Sequence, residues 1–179
     1  LYRPYKQKKR TRAIIAKEKG LEPLANIISL QMINTPVEAE ARKYVSEEKG
    51  VESEADAIAG AMDIIAEAIS DEADYRTYIR NTTFKEGMIV STAKEPELKS
   101  VYEMYYEFSQ KINKIAGHRV LAINRGEAEK ILTVKIEAPE DKLLSYLEKK
   151  IIVKNNPNTN DILKETIKDS YKRLIFPSI

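Results

Sequence analysis

The sequence predicts a mostly α-helical chain, with a helix-turn-helix-like part near its start and at most one small β element near 131–137. Three observations carry this. Gly (6) and Pro (7) are scarce among 179 residues, against a turn-rich all-β fold. Apolar residues recur at three- and four-residue spacing over most of the chain. Helix-start signals stand at Thr11, Thr35-Pro36, Ser53 and Pro139. With 42% hydrophobic and 32% charged residues the composition is that of a soluble globular chain. This length buries roughly 70% of the unfolded surface.

Taken in order, 9–19 predicts a helix with Thr11 as N-cap and Gly20 as its stop, since Gly enters the left-handed conformation cheaply. Leu21-Glu-Pro-Leu24 restarts a helix that turns Leu24, Ile27, Ile28 and Leu30 inward, with Pro23 in its first turn. These two helices form the helix-turn-helix-like part. Thr35, Pro36 and Glu38 have the spacing of a capping box and predict a helix over 36–49, ended by Gly50. Ser53 caps 54–70, where Ile58, Met62, Ile65 and Ile69 form one stripe and Gly60 permits close helix approach. Helices follow over 71–94, with a kink at Gly87, and over 97–115, with Leu98, Val101, Tyr105, Phe108 and Ile112 as its stripe. His118–Gly126 reads as a short helix, and Ile131–Glu137, alternating and β-branched, as the strand. Pro139 opens a helix over 140–152 and Asn160 caps the last, 161–176. Candidate sub-boundaries fall near 33–36 and 155–160.

The missing chemistry is informative. There is no Cys, which removes thiol catalysis, disulfides and Cys-based zinc sites, and a single His, which removes His-rich metal sites. Neither GxxxxGK[ST], GxGxxG nor GxSxG occurs. His118 lacks the spaced partners of a catalytic triad. No apolar run approaches the roughly 18 residues of a membrane span. The chain begins at Leu1 without a signal-peptide pattern, so a cytoplasmic piece of a longer protein is expected.

A formal net charge of +2 conceals an uneven distribution. Residues 1–19 hold eight bases against one acid, a net of +7, and residues 36–74 hold three bases against twelve acids, a net of −9. Arg3, Lys6, Lys8, Lys9, Arg10 and Arg12 are therefore candidate phosphate contacts, with Tyr2 and Tyr5 interleaved as in base-stacking surfaces. Two other readings stand beside this one: the blocks face each other, or both are solvated helix surfaces. The Tyr102, Tyr105, Tyr106 cluster has the spacing of a packed helix face.

Four separated stretches, 2–25, 47–80, 102–136 and 169–179, resemble in order the Tex family of bacterial transcription accessory proteins. Most distinctive are YKQKKRTRAIIAKEKGLEPLA (5–25) and the run with His118, Arg119, Leu121, Ala122, Ile123, Arg125, Gly126 and Glu127. The resemblance implies multidomain nucleic-acid-binding factors whose helical N-terminal half precedes a YqgF-like domain, helix-hairpin-helix elements and an S1 RNA-binding domain. No GLDPG-like start of a YqgF domain and no S1-type barrel is legible here, so one helical fragment over 1–179, without those domains, is expected. Within it His118, Arg119, Arg125 and Glu127 are expected to be structural, with Arg125 holding a carboxylate or a helix end.

The expected function is a non-catalytic scaffold for RNA or DNA binding in transcription. The alternative is direct nucleic-acid binding through the basic N-terminal segment. Partners are nucleic acid, the transcription machinery and other domains of the same chain; no cofactor, metal or membrane is called for.

Overall fold

The computed structural model describes residues 10–179. Helix α1 (Arg12–Glu18) begins as its cap predicts: the Thr11 hydroxyl accepts the Ile14 amide at 3.1 Å. Gly20, at φ +79°, ends the segment. In α2 (Glu22–Leu30), Leu24 and Ile28 are fully buried, but Leu30 is 62% exposed. It stands two residues past Ile28, and i,i+2 positions point to different helix faces.

The capping box at Thr35 does not form. Helix α3 (Val37–Ala41) has Pro36 at its N-cap and no side-chain cap. Instead of continuing to 49, it passes into a 3-10 turn at Arg42–Tyr44. Ser46 and Val51 then form an isolated antiparallel bridge, closed by Gly50 at φ +84°. Val45 is already extended, so backbone pairing with Val51 replaces further helix.

Helix α4 (Glu54–Asp71) is capped by Ser53, whose hydroxyl accepts the Asp56 amide. Its buried face is centred on Ala57, Ala61, Ile64, Ile65, Ala66 and Ile69, while Ile58 and Met62 are half-buried at its margin. Gly60 does permit close approach: a Cβ there would lie 2.4 Å from Leu21 Cδ1 and 3.3 Å from Ala16 Cβ.

The largest corrections fall next. Helix α5 (Ala73–Glu86) stops at Gly87, and 88–94 is not helical: β1 (Met88–Ala93) follows. The β-branched run Ile89-Val90 with Thr92 favours the pleated backbone. The helix expected over 97–115 is absent; a 3-10 turn at Glu103–Tyr105 leads into β2 (Glu107–Lys111). Helix α6 (Gly117–Ala128) and β3 (Leu132–Glu137) lie where the sequence places a short helix and a strand. The single small β element near 131–137 is thus one strand of three. The antiparallel order is β2-β1-β3, with Ile89 opposite Gln110 and Ile136. Helices α7 (Glu140–Ile151) and α8 (Asn160–Asp169) complete the mostly helical chain. Thr159 rather than Asn160 is at the N-cap of α8, which runs on as a π-helical segment, Ser170–Ile175.

The chain forms two compact units. Unit 1 takes the residues up to Arg76 with Leu144–Ile179; unit 2 is Thr77–Leu143. In unit 1, Leu24, Ile28, Val37, Leu163, Ile167 and Ile175 are fully buried. Both 33–36 and 155–160 lie in unit 1 and are tied together. Asn156 Nδ2 donates to the Gln31 and Ile33 carbonyls at 3.0 and 2.9 Å. The buried Gln31, left-handed at φ 58°, donates to the Ile151 carbonyl at 2.8 Å and accepts the Lys154 amide at 3.1 Å. In unit 2, Ile89, Tyr102, Tyr105, Ile123 and Leu132 form a core between sheet and α6.

Candidate nucleic-acid interface

Of the basic candidates, Arg3, Lys6, Lys8 and Lys9 lie outside the described residues, as do Tyr2 and Tyr5. Arg10 is exposed and donates to Glu18 Oε1 at 2.5 Å. Arg12 opens α1 and lines an open groove of about 400 Å³ with Lys19, Glu52, Asp56 and Asp63 over an apolar floor. Burial pushes the Asp63 carboxyl up, while the Arg173 and Arg12 charges pull it back toward ionisation. At this groove the basic α1 and the acidic α4 do face each other. Arg42 and Lys43 of the acidic block also have internal partners: Arg42 donates to Glu54 at 2.7 Å and Lys43 lies 3.4 Å from Glu40. Exposed pairs of this kind stabilise little, because solvent screens them. Their consequence is that these cations are already engaged.

The C-terminal signature, 169–179, is absorbed by packing. Ser170 is fully buried and donates to the Ala66 carbonyl of α4 at 2.7 Å. Arg173 grips Asp169 through Nε at 3.0 Å and Nη2 at 2.8 Å, and reaches Asp63 at 3.7 Å. Tyr171 is buried beside Phe176, ring centroids 5.6 Å apart.

The signature on α6 is only half absorbed. Ile123 is fully buried. Gly126 is required by close approach, since a Cβ there would lie 2.5 Å from Leu132 Cδ1 and 3.2 Å from Tyr102 Cδ1. Arg119 sits over the Phe108 ring, 5.6 Å from its centroid. His118, Leu121 and Arg125 are exposed at i, i+3 and i+7, on one face of the helix. Glu127 is exposed on another side. No described carboxylate forms an ion pair with Arg125, which lies close enough to Tyr102 to oppose the rise in its pKa; burial and Glu129 cause that rise. The Tyr102 hydroxyl donates to Glu129 at 2.8 Å.

Sums over the long blocks hide one feature. Between Glu107 and Glu127 there is no acid, yet Lys111, Lys114, Arg119 and Arg125 fall there, with His118. Lys111 ends β2 and Lys114 lies in the turn before α6, both exposed. No side chain caps α6, and nothing lies within 4 Å of a Cβ built on Gly117. A search for acid-free runs would have found this stretch in the sequence. Among the described residues no three His, Cys, Asp or Glu converge to hold a metal ion, and no helix is long and apolar enough to cross a membrane.

Comparison with known proteins gives a consistent match. A family described as Tex central region-like matches residues 34–178. The chain is 53% identical over 182 residues to the Bacillus subtilis protein YdcI, covering 100% of this chain and 25% of YdcI. It is 29% identical over 187 residues to the transcriptional accessory protein Tex of Neisseria gonorrhoeae, covering 100% of this chain and 24% of that one. It is 31% identical over 195 residues to human S1 RNA-binding domain-containing protein 1, covering 97% and 19%. The chain thus spans a quarter or less of these relatives.

Proposed function

This chain belongs to the Tex family, matched over 34–178, and from that premise we propose that it is a non-catalytic helical region of a Tex-like transcription accessory factor. It holds the nucleic-acid-binding parts of the full-length protein in position. The observation that carries this reading is the fate of the signatures. Ser170, Arg173, Ile123 and Gly126 serve packing, and the charges of Arg10, Arg42 and Arg173 are taken by neighbouring carboxylates. Packing of this kind fixes geometry and leaves reaction chemistry to other parts. Helices α1 and α2, joined at Gly20, are its helix-turn-helix-like part, and the protein works in the cytoplasm on RNA or DNA with the transcription machinery.

The test uses the full-length protein carrying this region. Ser170→Val with Gly60→Val should loosen α4 and weaken nucleic-acid binding and transcriptional effect several-fold, with the other domains still folded. Unchanged binding and activity when this region is unfolded would overturn the scaffold. Metal-dependent product from a single-turnover incubation would overturn its non-catalytic character.

The direct-binding alternative rests on the +7 charge of residues 1–19. If Arg3, Lys6, Lys8, Lys9, Arg10 and Arg12 all met phosphate, log affinity would fall with log salt at a slope of about −4 to −5. Arg10 and Arg12 already face Glu18 and Asp63, so a shallower slope is expected.

A further inference from the structure

We infer that the exposed face of α6, together with Lys111 and Lys114 before it, is a contact surface for single-stranded nucleic acid. This goes beyond the scaffold reading and differs in place from the N-terminal basic block.

Four observations converge. The stretch from Phe108 to Gly126 holds four Lys and Arg and no acid, a local excess of positive charge in a nearly neutral chain, and the next acids after it are Glu127 and Glu129, the latter engaged by the Tyr102 hydroxyl. Lys111, Lys114, His118 and Arg125 are exposed, and no described carboxylate pairs with them, unlike Arg10, Arg42 and Arg173. The back of α6 is pinned by Ile123 and by the Gly126–Leu132 approach, so its front is presented rigidly and little ordering is needed on binding. The uncapped start of α6 adds amide donors and a partial positive charge in the first turn, which holds His118.

The shape of the face chooses the single strand. His118 and Arg125 are two turns apart, about 10.5 Å along the axis. Leu121 lies between them and is 68% exposed. Lys111, Lys114 and Arg125 would meet phosphates, while the imidazole and Leu121 offer a surface for an unpaired base. A duplex keeps its bases stacked inside and cannot use that middle.

The test is fluorescence anisotropy of the 179-residue chain with a labelled oligothymidylate, an RNA of equal length and a duplex, titrated with salt. Lys111→Ala with Lys114→Ala and Arg125→Ala should make the salt slope shallower by about 2, since each lost phosphate contact on a single strand removes about 0.7. His118→Ala with Leu121→Ala should weaken single-strand binding about fivefold or more with the slope unchanged. Lys164→Ala with Lys168→Ala, exposed on α8, should change neither. All these positions are exposed, and circular dichroism checks that each variant is folded. No binding by the parent chain at roughly 20 mM salt would overturn the inference. So would an unchanged slope in the triple variant, an equal effect of the α8 pair, duplex preference, or tighter binding of polyglutamate than of nucleic acid. Loss of the scaffold effect in the full-length protein reads a different quantity and leaves this test independent.

Discussion

The two units treat their charges differently. In unit 1 the acidic helix α4 has Arg12 and Arg173 at its Asp63, and Arg42 at its Glu54. Around them Leu24, Ile28, Leu163 and Ile167 make a core of aliphatic side chains. In unit 2 a three-stranded sheet and one helix enclose a smaller core, two of whose five buried members are tyrosines. There Lys142 pairs with Glu86 at 2.6 Å, but Lys111, Lys114 and Arg125 form no ion pair with a described carboxylate. The contrast teaches that net charge by block is a poor guide to binding. Of the larger imbalance near α1, the described Arg10 and Arg12 face Glu18 and Asp63, whereas Lys111, Lys114 and Arg125 near α6 are left for solvent or a ligand.

The strongest blow to this contrast is a cavity in the smaller core. Leu132→Ala should cost about 2–5 kcal/mol, because Leu132 is fully buried against Gly126. Amide exchange should speed up in β1, β2 and β3 far more than in α4; equal loss in both would erase the distinction between the units. Gly60→Leu attacks the other side. With Leu21 Cδ1 in the way, it should cost about 3 kcal/mol by overpacking, read from the urea midpoint. A neutral result would mean that α1 and α4 have slack.

Gln31→Ala should cost about 2 kcal/mol, since it leaves the Ile151 carbonyl and the Lys154 amide without their partner. A loss below about 0.5 kcal/mol would show that water replaces the side chain there. The smallest effect concerns Asp63. Its carboxyl is raised above the ordinary value of 3.8, chiefly by burial, so the folded state holds its proton more tightly. The resulting stabilisation is fully present below that value and is lost as pH rises through the folded-state pKa. Asp63→Asn should flatten the stability–pH curve just above pH 3.8; an unaltered curve would mean that Arg173 and Arg12 fully offset the burial.

What was legible in the sequence follows from the range of the forces involved. Thr11, Ser53 and Gly20 act within a few residues of themselves, so they mark α1 and α4 correctly. Thr35 has the same pattern, but Val45 and Gly50 favour the Ser46–Val51 bridge, and the helix stops early. Strands β1 and β2 escaped because their stabilisation is remote: Met88 pairs with Lys111 on one side and with Glu137 on the other. Leu98, Val101, Tyr105, Phe108 and Ile112 fit a helical period, yet Val101 is 86% exposed and Phe108 lies in a strand. The α6 signature was legible as a motif. Its division into a buried half and an exposed half was not, since it depends on where Leu132 and Tyr102 arrive from elsewhere in the chain.

The claim that the face of α6, with Lys111 and Lys114, receives a single strand has a direct test in amide chemical shifts. The 179-residue chain would be titrated with a single-stranded oligonucleotide at low salt. Shifts confined among the described residues to about Lys111–Arg125 are expected, with α4 and α8 unmoved. Shifts centred on α1 and the start of α4, with α6 silent, would contradict the account.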